Sequence, residues 1–233
     1  MILKDLMEKS ILNTNPNHVE KESAMFKFCI LAAGKGTRNT SIEGLHKSLL
    51  PVSNRAAISK ILDAVPKDVP IIIAVGYKSQ QVITYCNLVH SDRNIEFIHI
   101  KNYEGFGAGP GLSLLQCKDS LDCPFIFTSA DTLFDDDCLN LIKVNNNWVG
   151  TCRVSSNDSY KYCLVDIEKD SPDKFYFQCN TEAYAFTGIA GIKDHVDFWK
   201  NLEEKDLIRG EHHVINGLRQ LGDMRQKLMS WYD

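Results

Sequence analysis

Short runs that are apolar at nearly every position alternate along this chain with longer stretches in which apolar residues recur every three to four positions. Phe26 to Leu31, Ile71 to Val75, Ile95 to Ile100 and Pro124 to Thr128 are of strand length, and Pro70 and Gly76 bound the second. They read as buried strands rather than helices. Ala56 to Ala64, Ser79 to Leu88 and Leu112 to Cys117 carry helical spacing between them; in the second, Val82, Ile83 and Cys86 share one face. A further helix is expected after Asp135–Asp136–Asp137, whose carboxylates suit a helix N-terminus. Strands alternating with helices of this size predict an α/β fold with a doubly wound, mostly parallel, Rossmann-like sheet.

After Trp148 the pattern turns toward strands: Val149 to Val154, Cys163 to Ile167, Phe175 to Gln178, Ala185 to Ile192 and a last strand over about Lys227 to Trp231. Helices are predicted over Val196 to Glu204 and Glu211 to Leu221. This half therefore reads as a small mixed β subdomain. The first two dozen residues differ again. Met1 to Ser10 has the spacing of a short amphipathic helix, and the polar stretch Asn13 to Ser23 reads as a linker. The expected organisation is an appendage over 1–24 and a domain over 25–233, with one part at about 25–147 and a second at about 148–233.

Composition narrows the function. The 233 residues are 44% hydrophobic and 24% charged, with a net charge of −4 and no Lys/Arg run, which argues against nucleic acid as a partner. No apolar stretch is long enough to span a bilayer. Lys4, Asp5, Glu8 and Lys9 break any secretory apolar core near the start. The eight cysteines form no Cys-x-x-Cys pair, so zinc ribbons and dithiol redox sites are not expected, and a reducing, cytoplasmic setting is.

The chemistry gathers at strand ends. Leu31-Ala32-Ala33-Gly34-Lys35-Gly36-Thr37-Arg38 leaves an apolar strand through a glycine turn that delivers Lys35 and Arg38, and Lys47 follows in Lys47-Ser48-Leu49-Leu50-Pro51-Val52. Glycines let backbone approach a ligand, successive N–H groups in such a turn form an anion cradle, and Arg and Lys add full charges. The pattern predicts a polyphosphate. Asn39 stands where a dinucleotide fingerprint needs its third glycine, and no P-loop spacing is present. A second glycine cluster spans Gly105 to Gly111. Asp131 follows the strand at Pro124 to Thr128, where a carboxylate beside a polyphosphate suits Mg²⁺.

With the ending Trp231-Tyr232-Asp233, these segments resemble the nucleotidyltransferases that activate sugar 1-phosphates and phosphocholine-type alcohol phosphates. Leu31 to Arg38 looks like the family's signature loop and Lys47 to Val52 like its Pro-Lys-x-Leu-x-Pro segment. Val75-Gly76-Tyr77-Lys78 resembles the stretch after its next core strand. The resemblance implies transfer of NMP from an NTP to a phosphorylated small molecule, with pyrophosphate released, in precursor synthesis for surface polysaccharide or lipid. CTP ranks first among the nucleotides, with the base left open, and a homo-oligomer is compatible with this reading.

Carried onto this chain, the family's pattern gives Arg38 and Lys47 as catalytic residues and Asp131 and Asp233 as Mg²⁺ ligands. Leu31, Ala32, Ala33, Gly34, Lys35, Gly36, Thr37, Gly107, Gly109, Ser113 and Ala130 are candidates for nucleotide binding. Glu182 and Tyr184 are candidates for the acceptor. His46 departs from the pattern by standing where the family has Pro, and the Glu-Lys-Pro segment of many sugar-specific members is not evident. A non-catalytic regulatory or assembly subunit with the same fold is the alternative. Two side-chain pairs are assigned structural roles: His212–His213, because adjacent helical residues diverge, and His195 with Trp199, whose spacing is amphipathic. Tyr160, Tyr162, Tyr176 and Tyr184 lie in segments where aromatics are usually core.

Overall fold

The run Lys27–Ala32 forms the first strand, β1, and its side chains divide between two apolar layers. Phe28, Ile30 and Ala32 join one cluster together with Ile58, Ile61, Leu62 and Val82, whereas Cys29 and Ala33 join the other with Leu114, Phe198 and Trp199. Strand side chains point alternately to opposite faces, so a run apolar at every position is one covered on both sides. Ile71, Ile73 and Val75 against Ile72 and Ala74 repeat the division.

A computed structural model describes residues 26–36, 44–133, 144–168, 171–176, 183–203 and 206–228. After β1 come β2 (Pro51–Val52), β3 (Arg55–Ala56), α1 (Ala57–Ala64), β4 (Ile71–Val75), α2 (Ser79–Val89), β5 (Ile95–His99), α3 (Pro110–Leu115) and β6 (Phe125–Ser129). There follow β7 (Asn147–Val154), β8 (Leu164–Glu168), β9 (Ser171–Tyr176), β10 (Ala183–Ile192), α4 (His195–Leu202), β11 (Leu207–Ile208), β12 (Glu211–His212), α5 (Ile215–Leu218) and β13 (Met224–Leu228). The main path of the sheet runs β13-β7-β10-β6-β1-β4-β5. The pairs β5–β4, β4–β1, β1–β6 and β7–β13 are parallel, and β10 is antiparallel to β6 and β7 on either side of it. The expected doubly wound, mostly parallel sheet is therefore present, with the β8–β9 hairpin attached to β10 as its small antiparallel extension.

Helices α1 and α2 cover the layer containing Ile30 and Ile73, and α3, α4 and α5 cover the layer containing Cys29 and Ile72. In the second layer Trp199 stacks on Phe125 at 5.0 Å between ring centroids, and Phe198 meets Phe125 edge-on at 5.6 Å. Helix α1 stops before Pro66, as its sequence predicts. One side chain closes over its C-terminal end: the Arg93 guanidinium donates to Leu62 O at 3.0 Å within the helix and to Val65 O at 2.8 Å and Pro66 O at 3.0 Å just past it.

Three sequence-based expectations need correction. The helix expected over Glu211 to Leu221 is confined to α5, and Glu211–His212 is extended in β12. Glycines elsewhere in the chain impose this. A Cβ at Gly109 would stand 2.5 Å from His212 O, and one at Gly111 would stand 2.7 Å from His213 C, so α3 docks its first turn directly on the 212–213 backbone. That contact holds the segment extended, and the His pair is not helical. The strand expected at Phe175 to Gln178 begins earlier, at Ser171. Pro172 weakened the pattern but is tolerated in β9, which among the described residues pairs only with β8. The last strand likewise begins before its expected start at Lys227. The predictions for Met1 to Ser10 and for a helix after Asp137 lie outside the described residues.

Candidate active site

Between β1 and β6 the order of connections reverses: the chain moves outward from β1 to β4 and β5, then returns to place β6 on the other side of β1. Ligands of open α/β sheets sit beyond the carboxyl ends of the strands at such a switch point. Ala33, Gly34, Lys35 and Gly36 follow β1 there, and Ala130 and Asp131 follow β6. The two exits are joined by a hydrogen bond from Ala130 N to Leu31 O at 3.2 Å.

Lys47 reaches this edge from the short helical turn at Lys47–Leu49. Its Nζ donates to Asp131 Oδ2 at 2.8 Å. The route of the side chain explains Gly36: with φ at +67°, it places no Cβ where one would lie 2.7 Å from Lys47 Cδ. The glycine thus makes room for the lysine stem as well as allowing a left-handed turn. Gly34 has no atom within 4 Å of the position a Cβ would take, so space is open above it. Ala32 and Ala33 are buried, and Ala33 O accepts from Tyr77 N at 2.9 Å, which ties the turn to the exit of β4.

Lys35 forms an ion pair with Glu104, which raises the ammonium's pKa, and it lies 5.8 Å from the centroid of the Tyr77 ring. Sequence reading missed Glu104, which is separated from Lys35 by most of the first half of the chain. The second glycine cluster continues from it. Gly107 has φ at +79°, donates from N to Gly210 O at 2.9 Å, and leaves open space where a Cβ would project. Gly109 is taken up by packing on His212, and Ser113 is nearly buried, its backbone N bonded to Gly109 O at 3.1 Å. Of the cluster, Gly107 therefore faces open space, whereas Gly109 and Gly111 face backbone.

On the other side of Asp131 the irregular part of β10 closes in. Thr132 Oγ1 donates to Thr187 O at 2.8 Å, and a Cβ on Gly188, whose φ is +87°, would stand 3.0 Å from Ser129 Oγ. The register shift of β10 between Phe186 and Ala190 falls at this contact. Tyr184 lies past it, in the part of β10 that pairs with Arg153 and Val165; the Arg153 guanidinium stands 5.7 Å from its ring centroid. Tyr184 is thus in the sheet extension beyond the switch point, not among the residues gathered at it. Thr37, Arg38, Glu182 and Asp233 lie outside the described residues.

Trp199 is core, His195 lies 3.7 Å from Asp122, and Tyr160 is exposed. The His212 ring bonds Leu202 O at the end of α4 at 2.8 Å, and the His213 ring accepts from Ile215 N at 3.3 Å at the start of α5. Burial pushes the Cys86 and Cys163 thiols up to about 12, which makes them poor nucleophiles. Among the described residues no group of three or more His, Cys, Asp or Glu could hold a metal, and no helix is long and apolar enough to cross a membrane. The donor available for a cation at the switch point is the exposed Asp131 carboxylate. It fits Mg²⁺, which commonly takes one or two carboxylates and completes its shell with phosphate and water.

His46, 1% exposed, stands immediately before Lys47. Its Nδ1 accepts from Ser48 N at 3.2 Å and contacts Ser48 Oγ at 2.8 Å, capping the turn. Its Nε2 is buried near the carbonyls of Ala32 and Gly34 without meeting hydrogen-bond geometry to either. Burial, and then the adjacent Lys47 charge, lower its pKa to about 4. The folded protein therefore holds this ring neutral, while the unfolded chain binds a proton near pH 6.5. Stability from His46 is complete above about pH 6.5 and is lost as pH falls toward 4, by about 3 kcal/mol at pH 4 relative to pH 7. In urea titrations His46→Asn, which keeps a capping acceptor, should show a correspondingly shallower loss over that range; an unchanged slope would remove His46 as its source.

No protein-family model matches the chain. Curated proteins do. It is 28% identical over 148 residues to the bifunctional protein GlmU of Methanococcus aeolicus, covering 63% of this chain and 31% of that protein. To GlmU of Methanococcus vannielii it is 26% identical over 203 residues, covering 82% of this chain and 46% of that protein. The chain thus spans less than half the length of these curated relatives. Solved structures share its fold. The inositol-1-phosphate CTP transferase of T. maritima superposes with a TM-score of 0.68 at 17% identity, covering 88% of this chain and 85% of that one. HddC of Yersinia pseudotuberculosis, in complex with GMP-PN, superposes with a TM-score of 0.62 at 17% identity, covering 89% and 92%. A UDP-glucose pyrophosphorylase in complex with UDP-glucose gives 0.67 at 18% identity, covering 88% and 92%. In sequence the chain is therefore similar to these GlmU proteins, and it shares its fold with these pyrophosphorylase and nucleotide-transferase structures.

Proposed function

We propose that the chain transfers NMP from a nucleoside triphosphate to the phosphate of a small molecule, either a sugar 1-phosphate or an alcohol phosphate. The observation that carries this reading is the 2.8 Å approach of Lys47 Nζ to Asp131 Oδ2 at the switch point, beside the open turn at Gly34. A cation and a carboxylate held together at a strand edge give a polyphosphate and its counter-ion adjoining places. An isolated surface ion pair would not need the glycine cleared at position 36.

In the reaction, an acceptor phosphate oxygen forms a bond to the α-phosphorus, the bond from that phosphorus to the β-phosphate bridge breaks, and pyrophosphate leaves with the electron pair. Two anions must be brought together, so catalysis rests on positioning and charge. Mg²⁺ held by Asp131, with Asp233 as the second carboxylate on the family's pattern, would neutralise phosphate charge. Lys47 offsets charge on the reacting phosphates, and Arg38 on the departing pyrophosphate. Lys35, Gly36 and Thr37 receive the triphosphate, with the backbone of Leu31 to Gly34 and Ala130 as the floor. Gly107 borders the base, and Gly109 and Ser113 shape the turn behind it. The part at about 148–233, with Tyr184 and Glu182, receives the acceptor. The inositol-1-phosphate CTP transferase and the UDP-glucose pyrophosphorylase, named for a polyol phosphate and a nucleotide sugar, support this class of acceptor without choosing within it.

The test is pyrophosphate release with each common NTP against a panel of phosphorylated sugars and alcohols, with Mg²⁺ present and absent. Turnover with one NTP–acceptor pair is the expected result. Nucleotide binding without turnover for any pair would favour the regulatory subunit, and no binding at all would overturn both readings.

A further inference from the structure

The segment that presents Lys47 is short, and what holds it is not part of the phosphate site. Gln81, on the first turns of α2, grips it from behind with both ends of its amide. Its Oε1 accepts from His46 N at 2.9 Å and its Nε2 donates to Gly44 O at 2.8 Å. The amide therefore mimics a strand partner for the 44–46 backbone. From the other side the His46 ring is buried against the signature turn, near the carbonyls of Ala32 and Gly34, while its Nδ1 caps the Lys47 turn. Tyr77, at the exit of β4, contacts the ring with centroids 6.5 Å apart.

We propose that Gln81 and His46 are positioning residues that hold Lys47 at the switch point, Gln81 by anchoring the 44–46 backbone to α2 and His46 by wedging that backbone against the signature turn. The inference rests on the proposed role of Lys47; Gln81 lies behind the 44–46 backbone, and His46 meets the signature turn through its backbone carbonyls. His46 occupies a place where the resemblance puts Pro. A proline fixes the backbone through its ring and has no N–H. Here the same position keeps its N–H, and Gln81 uses it. Two hydrogen bonds from a helix thus replace a covalent constraint, and this makes Gln81 and His46 a linked pair: a proline at 46 would leave Gln81 Oε1 without its donor.

Misplacement of a catalytic group by about 1 Å can cost on the order of 10²-fold in rate. Gln81→Leu, which keeps a helix-forming residue of similar size, should lower kcat/KM about tenfold to a hundredfold, mainly through kcat. The decisive comparison is a double-mutant cycle: residues that act through one another are not additive. In a Lys47→Ala background, Gln81→Leu should cost less than about twofold further. Gln81→Glu, which keeps the acceptor for His46 N and loses the donor to Gly44 O, should recover part of the rate. A readout independent of turnover comes from reductive ¹³C-methylation: the dimethyl-lysine resonance of Lys47, assigned by its loss in Lys47→Arg, should shift in Gln81→Leu as the contact with Asp131 loosens. An unmoved Lys47 resonance would overturn the proposal even if the parent protein transfers no nucleotide. A full, additive Gln81→Leu loss in the Lys47→Ala background would overturn it in an active one.

Discussion

Lys47→Ala should lower turnover by roughly 10² to 10³ while leaving the fold intact. This is the scale for removing one preorganised electrostatic donor from an enclosed phosphoryl site. The ion pair itself is partly exposed and contributes little to stability, so a lower melting temperature is not expected to account for the loss. What the variant removes is a charge whose position was set in advance by Gly36, His46 and Gln81. Lys47→Arg is the informative companion. It keeps the charge, but the larger planar head must fit the channel beside Gly36, where the present stem already runs close to the backbone. It should recover only part of the rate. Steady-state kinetics on the NTP–acceptor pair found to turn over, together with a melting curve for each variant, would check both statements. Wild-type turnover in Lys47→Ala would remove the lysine from the reaction.

Phe198→Ala should destabilise the protein by about 3 to 5 kcal/mol, the range for truncating a buried aromatic. For a domain of this size that corresponds to a fall in Tm on the order of 10 °C. Phe198 has no exposed surface and lies 5.6 Å from the Phe125 ring, 6.1 Å from Phe127 and 5.1 Å from Trp199. A Cβ on Gly217 would stand 2.4 Å from its ring, so α5 is pressed onto it as well. The ring joins two strand residues to α4 and α5, and little around it can collapse into the vacated space. Urea unfolding of the variant would measure the loss; a change below about 1 kcal/mol would show that these helices are held by other contacts.

The parts of the fold that were legible in the sequence are those where one physical signal acted alone. Ile71–Val75 is apolar at every position because both faces of β4 are covered, and nothing else in the chain competes for that reading. Helix α1 shows its buried face and its stop at Pro66 within ten residues. The exit from β1 was legible as a glycine turn because Gly34 and Gly36 follow an apolar run directly. What stayed hidden depends on distant chain segments. The helical spacing of Val214, Ile215 and Leu218 is real, but Glu211–His212 is held extended by glycines a hundred positions earlier. Gly36 reads as a ligand-facing residue and turns out to make way for Lys47 too. Gln81 reads as a polar position on an amphipathic helix; its two hydrogen bonds run to residues whose side chains carry no complementary signal, since it holds their backbone. Glu104 gives no sign that its partner is Lys35.

The reversed direction of β10 has a consequence for the order in which the chain can become stable. On the ribosome β1, β4, β5 and β6 emerge first and can pair among themselves, but one long edge of β6, from Phe125 to Thr128, must wait for Ile189 to Ile192. The wait is about 60 residues of synthesis, and during it an apolar strand edge lies open to any other extended chain nearby. The site forms on the same schedule, because Asp131 leaves that strand and Gly188 packs beside it. A nascent chain halted before β10 would carry the signature turn and Lys47 and still be an aggregation hazard rather than a partial enzyme.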